Sequence, residues 1–209
     1  LDFNYDFFRY GFDRILSGIF LSLIFFLPLV ITTNFLSLEI TALVGAVIVI
    51  VRTVVASVAP LNIMLLPYFS KLQSEISTHE IKDYVYNVFQ ISFSLPIIVV
   101  CLLYIFINDI VVFWFGPNYI AIVKDVNTLM PAIYFYLVYI IISGVLNGLY
   151  KFPYVNFICM LSLVSMLLFL FLNISSLTYS IIIDSLLICL SMMGLLSILI
   201  IIHTSKITF

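Results

Sequence analysis

One positive charge in this chain sits where its presence needs a reason. Arg52 lies inside Glu39–Lys71 (EITALVGAVIVIVRTVVASVAPLNIMLLPYFSK), a stretch that is otherwise mostly aliphatic. About 20 apolar residues already cross a bilayer, so this stretch reads as a spanning helix with length to spare. A guanidinium at such depth is costly unless it faces protein or a water-filled cavity. At helical spacing Gly45, Ala56 and Ala59 fall on the side of Arg52, a small-residue face suited to close packing and to bordering a cavity. The chemistry open to Arg52 is anion binding, because its planar fork can hold a phosphate through two N–H groups at once. Pro60 and Pro67 are placed to kink or end the helix.

Other polar residues recur at helical spacing within apolar surroundings. Asp83, Asn87, Gln90 and Ser94 form one stripe; Tyr136, Tyr139, Ser143, Asn147 and Tyr150 form another. Polar groups are expensive in lipid, so both faces are expected to point inward. They either line a hydrophilic path, in which case Asn87, Gln90, Tyr136, Tyr139 and Asn147 join Arg52 as substrate-binding candidates, or they fix helix packing through hydrogen bonds. Asp184 is the second charge expected within a span. It could pair with Arg52, relay a proton, bind a coupling cation, or sit hydrated near the outer end. Gly144 and Gly148 make a GxxxG, a pattern common in membrane helices. Asn173-Ile174-Ser175 fits a glycosylation sequon by sequence alone.

The elements that must position these groups follow from composition. Of 209 residues, 65% are hydrophobic and 9% charged, where soluble proteins average about 25% charged. The expected fold is an all-α integral membrane bundle of six transmembrane helices in one domain. The expected spans are 15–33, 39–70, 83–107, 126–150, 154–172 and 177–203, with loops at Lys71–Lys82 and Asn108–Asp125. In the second loop Trp114, Phe115 and Tyr119 suit a membrane interface, and Gly116-Pro117 marks a turn. Six spans put Arg9, Arg14, Lys71, Lys82, Lys151 and Lys206 on one side and only Lys124 on the other. The positive-inside rule then sets both ends of the chain in the cytoplasm.

Several function classes lack their signatures. No basic cluster tracks nucleic-acid phosphates. HExxH, GxSxG and Walker patterns are missing, so the expectation is not an enzyme and no catalytic residue is assigned. Cys101, Cys159 and Cys189 lie singly in apolar segments and read as small hydrophobes. His79 and His203 have no companions at metal-ligand spacing, so neither a metal nor a cofactor is expected. The chain opens on Leu1, with LDFNYDFFRYGFDR mixing acids and bases unlike a signal peptide. The expectation is a fragment or the second half of a longer transporter.

Four segments carry a family resemblance. Arg9-Tyr10-Gly11-Phe12-Asp13-Arg14 resembles the aromatic-Gly-apolar-Pro-Arg signature that opens the second half of Wzx-like polysaccharide flippases of the MATE/MOP superfamily, with Asp13 at the place of the proline. Leu65-Leu66-Pro67-Tyr68-Phe69-Ser70-Lys71 is similar to that family's Leu-Pro-x-Phe-Ser helix ending. Phe115-Gly116-Pro117-Asn118-Tyr119 resembles its Gly-Pro-x-Tyr turn, and Ser143–Lys151 its small-residue pattern ending the fourth helix. The four occur in the family's order and cover the chain to about Lys151. The resemblance implies the carboxyl-terminal lobe of a transporter with two six-helix lobes, its partner being the amino-terminal lobe. It implies flipping of undecaprenyl-pyrophosphate-linked oligosaccharide across the cytoplasmic membrane, for O-antigen, capsule or exopolysaccharide synthesis, by alternating access around a cationic cavity. Arg52 would contribute to that cavity. The alternatives are a drug or metabolite exporter of the same superfamily, with Asp184 as the coupling acid, and a non-transporting polytopic membrane protein.

Overall fold

The structure is a computed structural model that describes residues 5–75, 78–150 and 152–205, with side chains for 11, 15–72, 81–150 and 152–204. The side chains of Arg9 and Arg14, together with Lys151 and Lys206, lie outside the described residues. Six helices account for nearly all of the rest: α1 (Tyr5–Phe35), α2 (Leu38–Glu75), α3 (Thr78–Phe115), α4 (Ile122–Leu149), α5 (Tyr154–Leu172) and α6 (Tyr179–Ser205). All six are long and apolar enough to cross a bilayer, which makes this a multi-pass membrane protein. Helices satisfy every backbone group within the segment, and several hydroxyls bond back to their own helix: buried Thr32 donates to the Pro28 carbonyl at 2.9 Å, and exposed Thr53 to the Val49 carbonyl at 2.9 Å.

The first three helices are longer than the hydropathy pattern suggests. The expected loop Lys71–Lys82 is mostly helix, since α2 runs to Glu75 and α3 begins at Thr78. Likewise α3 continues through Ile110–Phe115, because nothing breaks the helix until Gly116, whose φ of 87° only glycine adopts freely. Pro117 then opens a short 3-10 turn where the Gly-Pro pair indicated one. Pro60 and Pro67 do not end α2, which passes through both. In lipid, breaking the helix would strand more backbone groups than each ring removes.

α4 is the axis of the bundle. Buried residues make up 78% of its most apolar window, against 22% in α1 and in α3. α2, α6 and α3 pack around it, α5 joins α6 to α1, and α1 returns toward α2. The even-numbered helices run in one direction and the odd-numbered ones in the other. The end of the bundle that holds Lys71 and Lys82 is the basic end; the other holds Gly116.

Glycines set how closely α4 is approached. A methyl on Gly144 would lie 2.9 Å from the Asn62 carbonyl oxygen, and one on Gly148 would lie 2.8 Å from that of Leu66. The GxxxG is therefore the contact between α4 and α2, backbone against backbone. On the opposite side, Gly194 of α6 rests directly on the Phe135 backbone of α4. Both ends of the α4–α6 pair are also pinned. The Tyr179 hydroxyl donates to Asp125 Oδ2 at 2.7 Å at the far end, and Tyr150 bonds Thr204 at the basic end. Burial raises the Tyr150 phenol above its usual pKa.

Candidate functional site

α1 and α2 touch near the turn that joins them and then leave a gap. At the turn the Thr33 and Thr41 hydroxyls are 3.3 Å apart, and a methyl on Gly45 would meet Leu29 at 3.7 Å. Beyond Leu29 the two helices face each other across a groove whose floor is α4. Its upper chamber is a cavity of about 550 Å³, with Ser22, Phe25 and Phe26 on the α1 wall, Arg52, Ala56 and Ala59 on the α2 wall, and Tyr136 and Ile140 below. A second cavity of about 350 Å³ continues toward the basic end, lined by Ser17, Gly18, Asn62, Leu66, Tyr139 and Asn147. Leu21 borders both.

Arg52 is exposed within this groove, as its small-residue face suggests. Ala56 and Ala59 share the chamber, whereas Gly45 serves the α1–α2 contact instead. Arg52 lies about 20 Å along the helix from Leu38, well within a span. Its guanidinium carbon sits 5.9 Å from the centre of the Phe25 ring, a cation–π distance. Among the described residues no carboxylate pairs with it. The rest of the chamber wall is mostly apolar, with Ser22 and Tyr136 as its other polar side chains, so Arg52 is the one charge among the residues lining it. The ring contact continues inward: Phe25 lies 5.8 Å from Tyr136, Tyr136 stacks on Tyr139 at 5.9 Å, and the Tyr139 hydroxyl meets Cys159 Sγ at 3.1 Å.

The remaining expected residues separate into those the groove gathers and those it does not. Asn147 lines the lower cavity. Tyr136 and Tyr139 border the two cavities, but they are buried, 2% and 3% exposed, and Tyr139 spends its hydroxyl on Cys159. They form floor rather than an open hydrophilic wall. Asn87 and Gln90 are not part of this site. They are exposed on α3, so the expectation that polar faces turn inward is corrected for that helix. Asp184 does not meet Arg52; its carboxylate accepts from Ser180 at 3.5 Å in the second turn of α6. The sequon amide of Asn173 donates to the Phe169 carbonyl at 2.8 Å, closing the end of α5.

Spacing alone missed Asn62. Its side chain donates to the Ile140 carbonyl at 2.6 Å and to the Ser143 hydroxyl, tying α2 to α4 at the floor of the lower cavity. An asparagine two residues after a proline in an aliphatic run is the one available signal. Asn62→Ala should have a small effect, because Ser143 keeps its own bond to the Ile140 carbonyl. The expected loss is about 0.6 kcal/mol, the usual worth of an interhelical hydrogen bond in membranes. A thermal-stability series in detergent would read it, and a loss several times larger would mean that Asn62 organises the floor. No protein-family model matches this chain, and neither a curated protein nor a solved structure matches it.

Proposed function

We propose that this chain is one lobe of a flippase for lipid-linked oligosaccharide, and that the α1–α2 groove receives the anionic head group during alternating access. The observation that carries the reading is Arg52, a cation without a described acid partner inside a membrane span, facing a cavity rather than packed protein. A pyrophosphate supplies the charge that this cation lacks, and the fork geometry of arginine suits it. Serine and asparagine side chains continue down the groove, from Ser22 past Asn62 and Asn147, as a path that sugar hydroxyls can follow. The four segments resembling Wzx-like flippases support the same assignment, with undecaprenyl pyrophosphate as the carrier and the amino-terminal lobe as the partner that closes the groove. In this reading the basic end faces the cytoplasm of a bacterial inner membrane. Binding near the midplane between two lobes is the arrangement that alternating access requires.

The test is export of the cell's own glycan by the complete transporter in a strain deleted for the native gene. Arg52→Ala should stop export without lowering the amount of protein in the membrane. Normal export by that variant would exclude the groove as the head-group site. Ion-dependent efflux of small solutes, with no effect on glycan, would instead support the exporter reading.

A further inference from the structure

The outer side of α3 carries a continuous seam that none of the described residues covers. From Asp83 the steps alternate four and three residues through Asn87, Gln90, Ser94, Ile97 and Cys101, and the spacing continues through Tyr104 to Asn108. Every member is exposed. The residues that α3 buries, such as Val85, Phe89, Leu103 and Ile107, occupy other positions of the turn. Val99, Leu102 and Phe106 face the gap toward α2. A 3.5-residue repeat is the period at which one helix winds around another.

Its chemistry narrows the occupant. The charges Asp83 and Asp109 bracket the apolar length of α3, so Gln90 and Ser94 lie within the membrane. Ser94 satisfies itself by donating to the Gln90 carbonyl at 3.1 Å. The Asn87 and Gln90 amides make no side-chain hydrogen bond among the described residues, and lipid offers none. An amide carries donors and an acceptor together, so it pairs with an identical amide brought to the same depth by a two-fold axis along the membrane normal. No charge interrupts the seam between Asp83 and Asn108. Asp83 itself stands beside Lys82 at the basic end, where two copies need not be desolvated. The seam also lies away from the α2 side of α3, while the groove opens on the opposite flank of α2.

We propose that the α3 seam is a homodimer interface, packing parallel against α3 of a second copy of this chain. The inference stands whatever the groove carries. Cys101 provides the test, being the exposed one of the three cysteines, with Cys159 and Cys189 buried. In membranes holding the full protein, copper phenanthroline should oxidise two Cys101 thiols to one disulfide, with the two protons released to water and one electron passing to each of two copper(II) ions. The product is a species of twice the mass that is missing in Cys101→Ser. In that background Ile97→Cys and Tyr104→Cys should restore the dimer, whereas Leu102→Cys and Phe106→Cys should not. Separately, single-molecule photobleaching in phosphatidylethanolamine–phosphatidylglycerol vesicles should count two copies per particle. Asn87→Leu with Gln90→Leu should weaken association by about tenfold, the worth of a few interhelical hydrogen bonds. Leucine at lipid-exposed positions leaves the fold intact, which unchanged elution in detergent checks. Single copies at every dilution, cross-links only to a polypeptide of another size, or cross-linking strongest at positions 102 and 106 would each overturn the proposal.

Discussion

Gly194→Leu should prevent the protein from accumulating in the membrane. The glycine rests on the Phe135 backbone of α4, so even a methyl there overlaps main-chain atoms that have no rotamer to change. Leucine would force α6 away from α4 along a buried seam of the bundle, and overpacking of this kind costs about 1–3 kcal/mol or more. It also opens contacts shared by Leu190, Met193 and Ser197, all of which are buried. With about 2–5 kcal/mol more for each large buried side chain whose packing opens, the total becomes comparable with the usual stability of about 5–15 kcal/mol. Gly194→Ala should lower the melting temperature in detergent measurably, and Gly11→Ala should not, since a methyl at Gly11 meets nothing within 4 Å. Equal melting temperatures for Gly194→Ala and the parent would mean that α4 and α6 are not in backbone contact.

The Arg52 series should separate charge from geometry. Arg52 is exposed, and its contact with the Phe25 ring is worth about 0.5–1 kcal/mol at an exposed site. Replacing it therefore leaves the fold standing, and a change in export reports on the groove. Arg52→Ala removes hydrogen bonds to a charged group, about 1.5–3 kcal/mol each, so transport should fall by about 10- to 100-fold or more. Arg52→Lys keeps the charge but not the fork and should retain an intermediate rate. Arg52→Glu places like charge against the head group and should abolish transport. Export normalised to membrane protein, with initial rates, distinguishes these cases. Lysine performing no better than alanine would mean that charge is not what the groove supplies. If alanine and glutamate both matched the parent, an anionic cargo would be excluded.

The spans, their order and the small-residue side of Arg52 were legible because each depends on one helix at a time. What the side faces was not, because the groove needs α1 as its second wall and α4 as its floor. Helical spacing put Tyr136, Tyr139 and Asn147 on neighbouring faces, but it cannot choose an open face on a helix wrapped on nearly every side. The rule that polar residues turn inward failed for Asn87 and Gln90 because α3 sits at the edge of the bundle, with part of its surface uncovered. Gly194 carried no signal at all. It is a lone glycine without a second small residue at GxxxG spacing, and only the crossing of α6 over Phe135 gives it meaning.

The contacts that hold α2 and α6 on α4 differ in kind from those between α1 and α2. Separating α2 from α4 means lifting backbone off Gly144 and Gly148, and separating α6 from α4 means lifting Gly194 off Phe135. Opening α1 from α2 lifts no backbone off a glycine; it parts side-chain contacts, among them the Thr33–Thr41 hydroxyls, Leu29 against Gly45 and the Phe25 ring against Arg52. The α1 side of the groove is thus held by softer contacts than the α2–α4 frame that carries Arg52. In the proposed reading, a cargo of varying bulk is admitted by yielding on the α1 side, while the cation proposed to meet its charge stays in a fixed frame.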